Sequence, residues 1–205
     1  ITVAGGINVI DGGLDNDTIT LNDGTNTVLG GAGTDTITAV SGNNTIDAGD
    51  GADFITLSGG FNTVQGSSGT DNITASGGSN VIDGGLDNDT LILIDGTNTA
   101  AGGAGDDTGY GGGGNDYIRG DAGNDTLYGG AGNDLLVNTT TDSHKVNMTG
   151  GADADVFKFA GVSKDNGALK LDAKILDLSA RSGDDLDFTQ ILKAGAHVTS
   201  ASDLS

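Results

Sequence analysis

Aliphatic side chains recur along this chain with a period of nine, a spacing that fits neither a helix nor one continuous strand. Counted in blocks of nine from Val3, the eighth position reads Ile10, Ile19, Val28, Ile37, Ile46, Ile55, Val64, Ile73, Ile82, Leu91, Ala100, Gly109, Ile118, Leu127 and Leu136. Only Ala100 and Gly109 interrupt the series, which ends with the block closing at Val137. Position six is Asn or Asp throughout, and position four is Gly with few exceptions. A short apolar run bounded by Gly and Asx predicts one turn and one short strand per block. Two blocks make an eighteen-residue coil, and stacked coils put the aliphatics in a thin core between two sheets. The expected fold class is all-β, a parallel β-solenoid of about eight stacked coils.

The polar position divides the blocks into two alternating classes. Asn8, Asn26, Asn44, Asn62, Asn80 and Asn98 belong to one, and Asp17, Asp35, Asp53, Asp71, Asp89, Asp107 and Asp125 to the other. After Asn98 the first class changes to Asp116 and Asp134. Blocks built on Asp have glycine-rich leads: Gly12 and Gly13; Gly30, Gly31 and Gly33; Gly49 and Gly51; Gly69; Gly84 and Gly85; Gly102, Gly103 and Gly105; Gly111, Gly112 and Gly114; Gly120 and Gly123; Gly129, Gly130 and Gly132. Blocks built on Asn lack the leading pair, as in Leu21-Asn-Asp-Gly-Thr-Asn26. Glycine at positions one, two and four predicts a turn that enters positive φ and brings backbone carbonyls close to a ligand. Asp15 and Asp87 replace the position-four Gly, Ala48 the first and Ser67 the second.

Stretches such as Gly30-Gly-Ala-Gly-Thr-Asp35-Thr-Ile37 resemble the nonapeptide G-G-x-G-x-D-x-U-x of the repeats-in-toxin (RTX) family, the haemolysin-type calcium-binding repeats. The resemblance covers about residues 1 to 158. It implies a right-handed parallel β-roll with a C-terminal capping region, in which calcium sits between turns one coil apart, held by the position-six Asp of both turns and by carbonyls of positions one to four. Carried over, the pairs are Asp17/Asp35, Asp35/Asp53, Asp53/Asp71, Asp71/Asp89, Asp89/Asp107 and Asp107/Asp125. Residues 102 to 137 are expected to bind calcium on both edges, and the Asn edge before them to form an amide ladder without metal. After Val137 an insertion precedes Gly150-Gly-Ala-Asp-Ala-Asp155, so Asp134 and Asp155 frame one more expected site. One ion per stacked pair gives about seven to nine calcium ions.

Charge makes the same demand from another direction. The net charge is −21, every acid is Asp, and sixteen of them precede the first basic side chain, Arg119. With 39 glycines to order and few aromatics, each coil buries too little to offset its entropy, and the carboxylates repel. A hard cation that takes six to eight oxygen ligands at about 2.3–2.6 Å answers both problems. Cysteine is absent, and only His144 and His197 could offer nitrogen.

The organisation reads as a roll over 1–137, an insertion and last RTX-like turn over 138–158, and a cap over 159–205. In the cap, Lys174-Ile-Leu-Asp-Leu-Ser179 and Gly183-Asp-Asp-Leu-Asp-Phe188 resemble the region that follows RTX rolls in proteins exported by type I secretion. Phe157, Phe159, Ile175, Leu178 and Phe188 are expected to cover the open end of the solenoid. Ser202-Asp-Leu-Ser205 matches the usual secretion terminus poorly. Ile1-Thr2 stand at positions eight and nine of a block, so the register predicts a piece of a longer array. Asn8 to Thr18 recurs letter for letter as Asn80 to Thr90, the mark of a length-setting array.

No G-x-S-x-G or H-E-x-x-H frame occurs, and no enzymatic activity is expected within these residues. The charge excludes nucleic acid, and no apolar run is long enough to span a membrane. The position-five row Thr25, Asn43, Phe61, Ser79, Thr97 is too irregular to match an ice lattice, and the outward residues single out no binding face. The leading expectation is a secreted, cell-surface structural protein, part of an S-layer, filament or biofilm adhesin. Its expected partners are calcium, the type I exporter, and further copies of itself or cell-surface polysaccharide. The alternative is the C-terminal calcium module of a type I secreted enzyme such as a protease, lipase or alginate epimerase.

Overall fold

The computed structural model describes residues 1–139, 144–159, 163–165, 168–170, 173–178 and 183–187. Among the described residues strands alternate between two ten-stranded parallel sheets, apart from the antiparallel pair Ser163–Asp165 and Ala168–Lys170, so the right-handed parallel β-roll is the observed architecture. Neighbours lie eighteen residues apart, Ile19 against Ile37 and Ile37 against Ile55 in one sheet, Ile10 against Val28 and Val28 against Ile46 in the other. The array runs past the expected eight coils because the chain beyond Val137 keeps the pairing. Thr126 meets Asn147 and Leu135 meets Val156, a step lengthened by the insertion, and strands Ala173–Ile175 and Asp185–Asp187 extend both sheets.

Strand length follows the turn chemistry. Where a block leads with glycine, the strand before it runs on through the pair, as in Ile7–Leu14 and Thr25–Ala32. Where it does not, the strand stops short, as in Thr18–Leu21 and Thr36–Ala39. Once both edges carry glycine, the strands equalise at six residues in Thr108–Gly113, Tyr117–Ala122 and Thr126–Ala131.

The position-eight aliphatics are buried as expected, and a second inward row joins them: Leu21, Ala39, Leu57, Ala75 and Leu93 are at most 1% exposed. These stand at position one of the Asn-class blocks, where the Asp class has glycine or, once, Ala48. The core divides where the aliphatic series fails, one cluster running from Ile10 to Ala100 and the other from Ile118 to Phe159. Gly109 lies at the break.

At the C-terminal end Phe157 and Phe159 are buried, and Ile175 and Leu186 pack against them. Leu178 departs from expectation, being half exposed. The chain turns after Ile175, and Asp177 rather than an apolar neighbour takes the inward place, where it accepts the backbone N–H groups of Gly150 and Gly151. Phe188, Arg181, Lys193, His197 and the terminal Ser202–Ser205 lie outside the described residues. Register also corrects the expectation that no face stands out. Thr20, Thr38, Thr56 and Thr74 form one outward column that continues as Ile92, Tyr110, Tyr128 and Thr149 without a charged side chain. Tyr110 and Tyr128 stack with ring centroids 4.9 Å apart.

Candidate metal centres

From Asp35 onward, each position-six carboxylate splits its two oxygens between different tasks. Along the first edge Oδ1 accepts the backbone N–H of the Asp one coil earlier: Asp17 to Asp35 at 2.8 Å, Asp35 to Asp53 at 2.7 Å, and so on to Asp107 and Asp125 at 3.1 Å. Along the second edge the N–H of Asn98 donates to Asp116, of Asp116 to Asp134 and of Asp134 to Asp155, at 2.8–3.0 Å. The structure therefore brings together every carboxylate pair expected from the sequence, including Asp134 with Asp155 across the insertion.

The other oxygen, Oδ2, has no partner. In all ten position-six carboxylates from Asp17 to Asp155 it is buried without a hydrogen bond, and from Asp35 onward the residues are at most 3% exposed. A buried anionic oxygen in that state costs several kcal/mol unless a cation meets it. Burial accordingly pushes the carboxyl of Asp89 and of Asp125 up to about 7 and those of Asp71, Asp107 and Asp134 up to about 6. The N–H bond each receives works against that rise, and the neighbouring carboxylates add to it. Asp53, Asp116 and Asp155 are raised too, burial again leading.

Glycine at position one has a different reason from the one expected, since Gly12, Gly30, Gly84, Gly102, Gly111, Gly120 and Gly129 are absent from the positive-φ residues. What they leave is room. A Cβ on Gly30 would lie 2.5 Å from Asp35 Oδ2 and 2.2 Å from the carbonyl of Ala48 in the next coil. On Gly84 the corresponding distances to Asp89 Oδ2 and the Gly102 carbonyl are 2.4 and 2.5 Å. The orphaned carboxylate oxygen and the next coil's position-one carbonyl thus border the same small space. Positive φ is met at position two, by Gly13, Gly31, Gly49, Gly85, Gly103, Gly112 and Gly130, and at position four, by Gly33, Gly51, Gly69, Gly105, Gly114, Gly123 and Gly132. Asp15, Ser67 and Asp87 adopt the same left-handed backbone as the glycines they replace.

This donor set fits a hard divalent cation. Among the described residues no three acidic or histidine side chains converge on one point, so carboxylates in pairs must be completed by backbone carbonyls. Calcium accepts that mixture of oxygens at flexible geometry, whereas zinc favours histidine and cysteine.

The Asn edge satisfies itself. Asn8 Nδ2 donates to Asn26 Oδ1, Asn26 to Asn44, Asn44 to Asn62, Asn62 to Asn80 and Asn80 to Asn98, at 2.7–2.9 Å. Each Nδ2 also meets the carbonyl three residues back, for example Gly59 O from Asn62 at 2.9 Å. Asn98 ends the ladder by donating to Asp116 Oδ1 at 3.0 Å. With an aliphatic at position one in place of the glycine gap, these turns have neither the space nor the spare oxygen of the Asp edge.

Sequence reasoning missed a further ladder at position five. There Asn16 Oδ1 accepts the N–H of Thr34, Asn88 that of Asp106, and Asp106 that of Asn124, each at 2.8 Å. The recurrence of Asx immediately before the position-six Asp was the available signal.

Four stretches, residues 3–37, 29–64, 56–91 and 101–136, match the RTX calcium-binding nonapeptide repeat. No curated protein and no solved structure matches the chain. The unmatched interval between the third and fourth stretches contains Asn98, where the second edge changes from amide to carboxylate.

Proposed function

Because the chain belongs to the RTX calcium-binding nonapeptide repeat family, we propose that it is an extracellular roll whose folding is driven by calcium, serving as a structural, self-assembling or adhesive part of a cell-surface protein such as an S-layer, filament or biofilm adhesin. The observation behind this reading is the unbroken row of buried Oδ2 atoms without partners. Bound calcium would supply the positive charge and coordination those oxygens lack.

In the calcium-poor cytosol the position-six carboxylates, ionised and unpaired, keep the chain extended and fit for a type I exporter. Outside, at millimolar calcium, the pairs from Asp17/Asp35 to Asp107/Asp125 close the first edge. Asp116/Asp134 and Asp134/Asp155 close the second, for about seven to nine ions with affinities of about 10⁻⁴–10⁻³ M, typical of extracellular modules. The calcium-binding edge is single to about residue 101 and double over 102–137. Before that point the amide ladder closes the second edge of the folded roll without metal, so fewer ions are needed per coil. The uncharged threonine column supports a role in surface packing, since a face without charge on a chain of net charge −21 is free of the repulsion that dominates elsewhere.

Circular dichroism during a calcium titration tests the coupling. The strand signal is expected to appear cooperatively at submillimolar to millimolar calcium and to vanish in excess chelator. A full strand signal in chelator would refute metal-driven folding.

A further inference from the structure

The two sheets of the roll share one geometry but not one surface. On the sheet that contains Ile7–Leu14, the outward row at block position nine carries Asp11, Asp47, Asp83, Arg119 and Lys158 on alternate strands. The same row on the other sheet is the uncharged column from Thr20 to Thr149. A second outward row beside it, from Thr18 through Phe54 and Thr90 to Asn147, is uncharged as well. Charge returns only at Lys174, opposite Asn147. The strands from Thr18–Leu21 to Val146–Ala152 thus present two neutral rows on a chain of net charge −21.

Exposed apolar groups gather on the same face. Phe54 and Tyr110 stand in the two rows, and each is at least 40% exposed, as are Val40 and Ile94 at their border. Val40 follows the inward Ala39 and its N–H still donates to Leu21 O, so strand alternation turns it outward. Ile94 follows the inward Leu93 in the strand Thr90–Asp95, with Asp95 beyond it at the rim. Single exposed apolar residues need no explanation, but a cluster of them within a charge-free field marks an interaction surface. We propose that this face binds a second copy of the chain, sheet against sheet, in a twofold dimer.

Charge selects that partner. Two copies meeting through the other sheet would set Asp11, Asp47 and Asp83 against carboxylates, and meeting through the turns would oppose their acidic edges, whereas the two neutral rows bring no like charges together. A twofold interface must complement itself, and rows of threonine hydroxyls, which both donate and accept, do so. An axis through the middle of the rows, between Thr74 and Ile92, sets the strand of Phe54 against the strand of Tyr110 in the second copy. Both exposed rings are then covered at once. Strands about 4.8 Å apart, each with two outward residues about 6.6 Å apart, give the rows an area of about 500 Å² per copy with side-chain margins. The total of about 1,000 Å² is at the low end of specific interfaces, so the dimer is weak and comes apart at the dilution of a spectroscopic measurement.

The inference rests on the self-assembling role in the functional reading, and sedimentation equilibrium of the full chain in saturating calcium tests it separately. Across about 5–500 μM protein the wild type should pass from the monomer mass toward twice that mass. T56D/T74D, which places two carboxylates in the neutral column, should weaken association at least about tenfold. F54S/Y110S removes apolar surface without adding charge and should weaken it too. T45D/T63D adds the same charge to an outward row of the other sheet and should associate as the wild type does. The strand signal in calcium reports whether each variant folds, and if T56D/T74D does not, F54S/Y110S decides alone. A wild type that stays monomeric to the highest concentration, masses that grow beyond the dimer, undiminished association in the folded face variants, or an equal loss in T45D/T63D would each overturn the dimer. A strand signal indifferent to calcium would overturn the functional reading and leave the dimer standing.

Discussion

Asn44 has both amide hydrogens engaged, on Ser41 O and Asn62 Oδ1, and its own oxygen accepts from Asn26, whereas Asp53 in the following block leaves Oδ2 buried and unpaired. The two residues occupy the same block position and are both buried, so substituting each separates geometry from charge. Asn44→Ala strips Asn26 of its acceptor and Asn62 of its donor, and it should cost about 1–3 kcal/mol in urea unfolding at saturating calcium. Its calcium stoichiometry should not change, and a lost ion would refute the division into two edges. Asp53→Asn keeps the shape but removes a charge shared by the pairs with Asp35 and Asp71. It should raise the calcium midpoint of the strand signal and remove up to two ions; an unshifted midpoint would contradict the assignment. The Asx beat made this position legible from the sequence. Its counterpart at position one was not, because Leu21, Leu57 and Leu93 alternate with Ala39 and Ala75 and return only every eighteen residues, which hides them from a ninefold count.

Strands and turns register a distinction that the letter G conceals. Gly102 and Gly103 are adjacent and look equivalent, yet the three atoms nearest a Cβ on Gly102 all belong to the Asp107 side chain, with Oδ2 at 2.4 Å. On Gly103, at φ +111°, it would lie 2.2 Å from the backbone carbonyl of Gly85. Gly103→Ala should cost about 2 kcal/mol or more, because left-handed strain adds to a backbone clash that no side-chain rotation relieves. Gly102→Ala should fold at saturating calcium and chiefly raise the calcium midpoint by crowding the carboxylate, a change Ala48 shows the turn can hold. Dichroism-monitored titrations of both variants check the contrast, and equal effects would refute it. The same limit of the alphabet explains the cap. Leu178 reads as an inward residue by hydrophobicity, but the N–H groups of Gly150 and Gly151 are left without a strand partner, and Asp177 supplies their acceptor. Strand order, sheet number and the re-entry of the motif at Gly150 were legible because each depends on period alone.

Across the whole molecule, the row of buried carboxylates must be neutralised by a cation or by protons, and pH distinguishes the two. The carboxyls of Asp71, Asp107 and Asp134 lie at about 6 and those of Asp89 and Asp125 at about 7 in the folded, ion-free chain, chiefly through burial. In the unfolded chain an Asp titrates near 3.9. Between about pH 4 and pH 7 the folded state therefore binds more protons than the unfolded one, and stability must fall as pH rises through that window. Below about pH 4 both states are protonated and the full stabilisation is present; above about pH 7 both are ionised and it is gone. In calcium-stripped buffer, strand signal should thus grow as pH is lowered from 8 to 4.5, with sedimentation confirming a monomer. In calcium the dependence reverses, because protons compete for the same oxygens, and the calcium midpoint should rise as pH falls from 7.5 to 5.5. A strand signal in stripped buffer that instead increases with pH would mean that the Oδ2 row is not what keeps the calcium-free chain unfolded. The glycine-rich backbone, with its large ordering entropy, would then have to be sufficient cause by itself.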